Sequence, residues 1–289
     1  MSTVDTATRL EIRLEQARYQ FPLPDGARRL IASKDFHGRT NQTLVRWLSA
    51  EPELAKRLLR WCNAPMFGGG HVFGSLSEAA SVVENHDLAR LAVLAWVRTL
   101  FEPDVRRDIY SRDFLWSHCV AVGGVASMIA RTCGRGDASI AMVAGSLHDV
   151  GLMIAERLAP AAFGEVLSQI DSLSPTADVE TDVHGWHHGE LGGGVLRQWG
   201  MTPEIVAAAE HHHAPELADV GDDTPEMTTL CCVALANYFC TRGGWGSLGG
   251  VTLPPPDDVV TRTLGIDSAV LSMLWRQVPA TIEATRDLR

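Results

Sequence analysis

The chain has 289 residues, 46% hydrophobic and 21% charged, an ordinary globular composition with ample length for a core. It carries 25 Lys and Arg against 35 Asp and Glu, a net charge of −10, so there is no broad basic footprint for nucleic acid. The start lacks the apolar run of a signal peptide, and no window is expected to reach the uncharged apolar length that spans a bilayer. The six cysteines form no closely spaced metal pair and fall in apolar helical patterns, which reads as reduced core thiols of a cytoplasmic protein.

Residues 6–20 are amphipathic, with Leu10, Leu14 and Ala17 on one face, and predict a leading helix. Phe21 to Pro24 breaks it, and a helix follows from Asp25 to Ser33. A polar link, His37 to Gln42, leads to a short helix with Leu44, Trp47 and Leu48. Pro52, between Glu51 and Glu53, opens a helix carrying Leu54, Leu58, Trp61 and Cys62. A proline and three glycines between Asn63 and Gly70 must end it. Ser75–Val83 and Asp87–Phe101 predict two further helices. No stretch alternates with period two, so no sheet is expected. The pairs Arg28-Arg29 and Arg106-Arg107 read as solvated helix faces.

From Asp113 a longer helix runs to Thr132, with Leu115, Cys119, Val122, Ala126 and Ile129 as its buried stripe and His118 beside it. Asp137 can cap the next helix, whose buried face is Ile140, Val143, Ala144 and Leu147. A bent continuation, Gly151 to Arg157, and a helical segment, Pro160 to Leu173, precede a polar stretch, Ser174 to Asp182, read as a loop. His188, Leu191, Gly192, Val195, Leu196 and Trp199 then share one face, which aims His188 inward. Thr202 and Pro203 start a helix on which Ile205, Ala209 and His212 point the same way, with His211 and His213 flanking. Glu226–Thr241 is helical and presents Asn237 on its buried side. Gly243 to Pro256 reads as a loop or linker, with its Gly- and Trp-bearing part, Gly243 to Gly250, exposed, and closing helices follow from Asp257. The expected fold class is all-α.

The chemistry centres on Gly145 to Gly151, which contains the adjacent pair His148-Asp149. Neighbours on a regular helix point apart, so both reach one site only at a helix end or distortion, which Gly151 could supply. Imidazole plus carboxylate is the ligand set of a borderline metal. Taken alone, such a pair is more often a cap or a core hydrogen bond. The inward polar residues His118, His148, Asp149, His188, His212, His213 and Asn237 come from different helices, however. Burying five imidazoles without partners would cost a few kcal/mol apiece. A shared metal or metal pair is the economical partner. His184, His187 and His211 read as ordinary helix-start or surface residues.

That order of residues resembles the HD superfamily of helical metal-dependent phosphohydrolases in its HD-GYP-like version. Pro52 to Gly68, Ser75 to Ala79, Trp116 to His118, Gly145 to Gly151, His188 to Gly192, Trp199 to Pro203 and His212 to Pro215 are similar to the HDOD (HD-related output domain) signature. The resemblance implies an HDOD domain over residues 21–241, made of a helical lobe (21–105) and an HD-like lobe (106–241). Residues 1–20 form a leading helix and 242–289 a loop with C-terminal helices. It implies that His118, His148 and Asp149 hold one divalent ion (Fe, Mn, Zn or Mg), that Asp149 bridges to a second held by His188, His212 and His213, and that Asn237 stands where catalytic relatives carry an aspartate. Asp149 would be the catalytic residue of an active enzyme. Leu152 stands where such relatives carry a lysine, and the Gly-Tyr-Pro element is missing. The implied function is a signal-transduction output or scaffold module with a degenerate site. It would act through a separate regulatory protein of cyclic-di-GMP or two-component signalling, with metal-dependent phosphodiester hydrolysis as the alternative. No nucleic-acid or membrane partner is expected.

Overall fold

Apolar spacing and caps account for nearly every helix of the computed structural model, which describes residues 6–32, 47–48, 50–64, 67, 71–171, 175–248, 251 and 253–289. Helices α1 (Thr6–Gln20) and α2 (Asp25–Ala32) lead the chain. The helix expected around Leu44 lies largely outside the described residues. Helix α3 (Pro52–Cys62) starts on its proline and buries Leu54, Leu58, Trp61 and Cys62. Helix α4 (Leu76–Val82) is capped by Ser75, whose Oγ accepts from the Glu78 N–H, and α5 (Asn85–Leu100) follows.

The expectation of no sheet needs one correction. Arg106–Arg107 (β1) and Tyr110–Ser111 (β2) pair antiparallel, Arg106 opposite Ser111 and Arg107 opposite Tyr110. Two-residue strands are too short for alternation to register in a sequence. Asp108, at φ 49°, makes the left-handed turn between them, a conformation aspartate tolerates. The exposed Arg106-Arg107 pair therefore sits on a hairpin and not on a helix.

The second half is a packed set of helices: α6 (Arg112–Cys133), α7 (Ala138–Leu147), α8 (Val150–Leu158), α9 (Pro160–Gln169), α10 (Thr176–His184), α11 (His188–Gln198), α12 (Pro203–His211), α13 (Pro225–Arg242), α14 (Asp258–Leu264) and α15 (Ser268–Ala284). Helix α10 corrects the loop expected from Ser174 to Asp182. Its buried residues, Thr176, Glu180 and His184, fall at i, i+4 and i+8, but they are polar types, so the stripe carries no hydropathy signal.

Helix α6 is the axis of this half and packs on α7, α13 and α15. It crosses α7 at two glycines: a Cβ on Gly145 would lie 2.7 Å from the Gly123 Cα. Helix α11 packs on α12, α8 and α1, and α12 packs on α13 and α7. The Trp116 indole N–H donates to the Leu288 carbonyl at 2.8 Å, tying the C-terminus to the core. Arg112–Cys133 and the run Ala138–Leu158 are long and apolar enough by length and composition to cross a membrane once the charged residues within them are allowed. Their apolar windows are 78% and 83% buried inside the fold, as core helices are. All six cysteines are free thiols, five of them buried.

A buried arginine–glutamate ion pair joins α6 to α8. The Arg112 guanidinium donates to Glu156 Oε2 at 2.8 Å through Nε and at 2.6 Å through a terminal nitrogen. A third donation, at 3.2 Å, goes to the Pro103 carbonyl. Glu156→Ala would leave that guanidinium buried without its counter-charge, and the expected loss is about 3–5 kcal/mol in urea unfolding. A loss under about 1 kcal/mol would mean that water reaches the pair.

Candidate metal centre

The centre begins where α7 stops. His148 keeps helical dihedrals, but Asp149 turns to φ −100°, ψ 13°, and α8 starts afresh at Val150. The break sits at Asp149 itself and not at Gly151, which lies inside α8. Stopping the helix frees the Gly145 carbonyl, and His148 Nδ1–H donates to it at 2.7 Å. His212, at the end of α12, repeats the device: its Nδ1–H donates to the Ala209 carbonyl at 3.0 Å. His118, on α6, donates through Nδ1 to the Trp245 carbonyl at 2.5 Å. His188 opens α11, and its Nδ1–H donates to Glu180 Oε2 at 2.5 Å, while its backbone N–H donates to the same oxygen at 2.9 Å. In the neutral tautomer that keeps its proton on Nδ1, each ring presents the lone pair of Nε2 to the centre.

Those nitrogens converge on one carboxylate. Asp149 Oδ2 lies 3.3 Å from His148 Nε2 and 3.6 Å from His118 Nε2. Asp149 Oδ1 lies 3.2 Å from His188 Nε2 and 3.3 Å from His212 Nε2. His213 Nε2 approaches His188 Nε2 to 2.9 Å. Two donor sets therefore share Asp149: His118 and His148 on one side, His188, His212 and His213 on the other, with the donor atoms of each set within 4.8 Å of one another. Asn237, buried on α13, reaches His118 with its side chain and accepts from Thr241 Oγ1 at 3.3 Å.

Burial decides the charge states. It pushes His118 and His212 down to about 4, and the neighbouring His148 adds to the shift in both. Burial also drives His213 well below the usual imidazole range, with His212 and His188 adding to it. His188 goes the other way: burial opposes its charge, but Glu180 and Asp149 together outweigh burial and carry it up to about 10. Burial likewise opposes the Asp149 charge, yet His148, His188 and His212 hold its carboxyl well below the ordinary range. An ionised Asp149 beside neutral His118, His212 and His213 is the ligating form of those groups, whereas His188, held protonated by Glu180 and Asp149, gives up its Nε2 proton when it ligates.

The donor set fits a metal by a test internal to the structure. Asp149 Oδ1 is fully buried and makes no hydrogen bond, although two ring nitrogens stand within 3.3 Å. A buried carboxylate oxygen without a hydrogen bond is unfavourable, and a cation among these nitrogens would satisfy it. Imidazole nitrogen with carboxylate oxygen suits zinc, iron or manganese.

All seven residues picked out in the sequence thus meet at one place. Glu180 and the Trp245 carbonyl join them unforeseen. Trp245 also corrects the reading of its segment as an exposed loop, since Gly246 and Leu248 beside it are buried. His187 caps α11, its ring accepting from the Gly189 N–H at 3.2 Å. His184 is buried and stacks on Trp186 with ring centres 4.5 Å apart, so it is no surface residue. His211 stays outside the cluster, at the end of α12.

The sequence model of the HDOD domain matches residues 21–215. The chain belongs to the HDOD family. Helix α13 and Asn237 lie beyond the matched part. Solved structures with the same fold include an HDOD domain protein from Geobacter sulfurreducens, with a TM-score of 0.79, 21% identity and 99% of both chains covered. A candidate phosphohydrolase from Shewanella amazonensis SB2B gives 0.72 at 20% identity, covering 96% of this chain and 98% of its own. A candidate signal transduction protein from Marinobacter aquaeolei VT8 gives 0.71 at 22%, covering 99% of this chain and 68% of its own. At such identities the likeness is one of fold. No curated protein sequence gives a significant match.

Proposed function

We propose that this HDOD chain is a signal-transduction output or scaffold module that holds a divalent metal in its buried centre and acts through a separate regulatory protein. The observation that supports it most is the wall beside the ligands. A cavity of about 20 Å³ next to His188 and His213 is lined by Leu152, Leu248, Val251 and Leu253 with the neutral polar side chains Thr176, Asn237, Thr241 and Ser247, and no Lys or Arg stands among the described lining residues. That volume suits about one water molecule. A phosphodiester brought there would meet leucine, valine and neutral hydroxyl or amide groups but no cationic side chain, where a hydrolase needs charge stabilisation. The partner is proposed to be a protein of cyclic-di-GMP or two-component signalling.

The near-complete donor set favours hydrolysis as the second reading. Two bound ions would supply an activated water and stabilise a leaving oxygen. In that case His118, His148, His188, His212 and His213 would hold the ions, and Asp149 would lie between them. Metal analysis of the purified protein, with assays on a generic and a cyclic-dinucleotide phosphodiester, separates the readings. Metal without turnover supports the module, whereas turnover that disappears in His148→Ala would overturn it. Asn237→Asp adds a carboxylate beside His118 and is expected to tighten metal retention about tenfold in competition with a chelator. Unchanged retention would place Asn237 outside the coordination sphere.

A further inference from the structure

Charge in this chain is segregated. Between residues 158 and 241 stand thirteen Asp and Glu and a single cation, Arg197. The rest of the chain carries 22 acids and 24 Lys and Arg. The acidic segment contains the metal centre from His188 to His213, and it borders a groove of about 530 Å³. That is the size of a ligand cleft.

His212 and His213 form the groove's inner wall, so it opens directly beside the centre. Asp178, Glu210, Glu216 and Asp257 line it, and no Lys or Arg does among the described residues. Glu210 already has its cation, Arg197, at 2.7 Å, and Asp257 is occupied in capping α14. Asp178 and Glu216 are exposed and form no ion pair among the described residues. Beside them Leu217 is 73% exposed, and Tyr238 is half-buried in the same wall. Pro254, Pro255 and Pro256 also line it. A groove with apolar footholds and unneutralised carboxylates repels phosphate and attracts guanidinium or ammonium groups.

We propose that this groove docks an arginine- or lysine-bearing segment of the partner protein, the cations seated against Asp178 and Glu216 and an apolar side chain against Leu217. The assignment names the chemistry of the partner proposed above. It does not depend on the metal, since neither carboxylate belongs to the donor set.

Fluorescence anisotropy with two labelled peptides tests it, one alternating arginine with leucine and the other glutamate with leucine. The arginine peptide is expected to bind the full chain, more weakly as salt rises. The double variant Asp178→Asn/Glu216→Gln should weaken it about tenfold. The distant exposed pair Glu51→Gln/Glu53→Gln should leave it unchanged. Metal content and helicity are measured on the same samples, so loss of metal with peptide binding intact would count against the metal reading alone. The docking proposal is overturned if the arginine peptide fails to bind, if the glutamate peptide or cyclic di-GMP binds as tightly, or if the double variant binds like the wild type.

Discussion

Replacing Asp149 with alanine is expected to empty the centre of metal while the helices stay in place. Among the described residues no other serves both donor sets: one carboxylate oxygen faces His118 and His148, the other His188 and His212. The variant leaves two imidazole nitrogens on one side and three on the other, with no carboxylate among the ligands to offset a divalent charge. Loss of an outer-sphere partner weakens metal binding about 10–100-fold, so loss of the shared carboxylate should cost at least about a hundredfold. Glu180→Gln calibrates the scale. It keeps every donor atom but removes the anion that orients His188 at 2.5 Å, and should weaken binding within that 10–100-fold range. Metal stoichiometry by mass spectrometry gives the first readout. Thermal unfolding gives the second: metal at a hundred times its Kd stabilises by about 2.7 kcal/mol, so a chelator should lower the melting temperature of the wild type and leave Asp149→Ala unmoved. Wild-type stoichiometry in Asp149→Ala would sink the metal reading.

The ligand side chains are legible in the sequence because each is an imidazole at or beside the inward position of an apolar stripe, where an unpartnered ring is unfavourable. His118 beside Leu115 and Cys119, and His188 ahead of Leu191 and Val195, are of this kind. Glu180 is not legible by that route. Its helix writes its buried face as Thr176, Glu180 and His184, so periodicity is present but hydropathy is silent. The useful signal is the i, i+4, i+8 spacing ending just before His188. The Trp245 carbonyl is a backbone group and has no residue signature at all. The β hairpin escapes for a different reason, since two residues per strand fall below any detectable period. The helices of the first hundred residues follow from proline starts, Ser75 as a cap and apolar spacing. The direction of the helix break at His148-Asp149 does not, because aspartate rather than glycine makes it.

Gly151 has a different task, and Gly151→Ala is expected to damage fold and centre together. A Cβ at this position would stand 1.9 Å from the His188 carbonyl oxygen, 2.8 Å from its carbon and 2.9 Å from the Gly192 nitrogen. All three are backbone atoms, so no side chain can rotate away, and α8 and α11 must separate by more than an ångström to reach ordinary contact. Asp149 immediately precedes α8 and His188 opens α11, so the same displacement pulls the Oδ1 side of the donor set apart. Overpacking between two buried helices of this kind should cost about 3 kcal/mol, or roughly 6 °C or more in melting temperature, and lower metal occupancy in parallel. Gly164→Ala supplies the contrast. Nothing lies within 4 Å of a Cβ there, inside α9, and helix propensity alone predicts a gain of up to about 1 kcal/mol. If Gly151→Ala melted with the wild type and kept its metal, the close contact of α8 with α11 would not be what sets the spacing between Asp149 and His188.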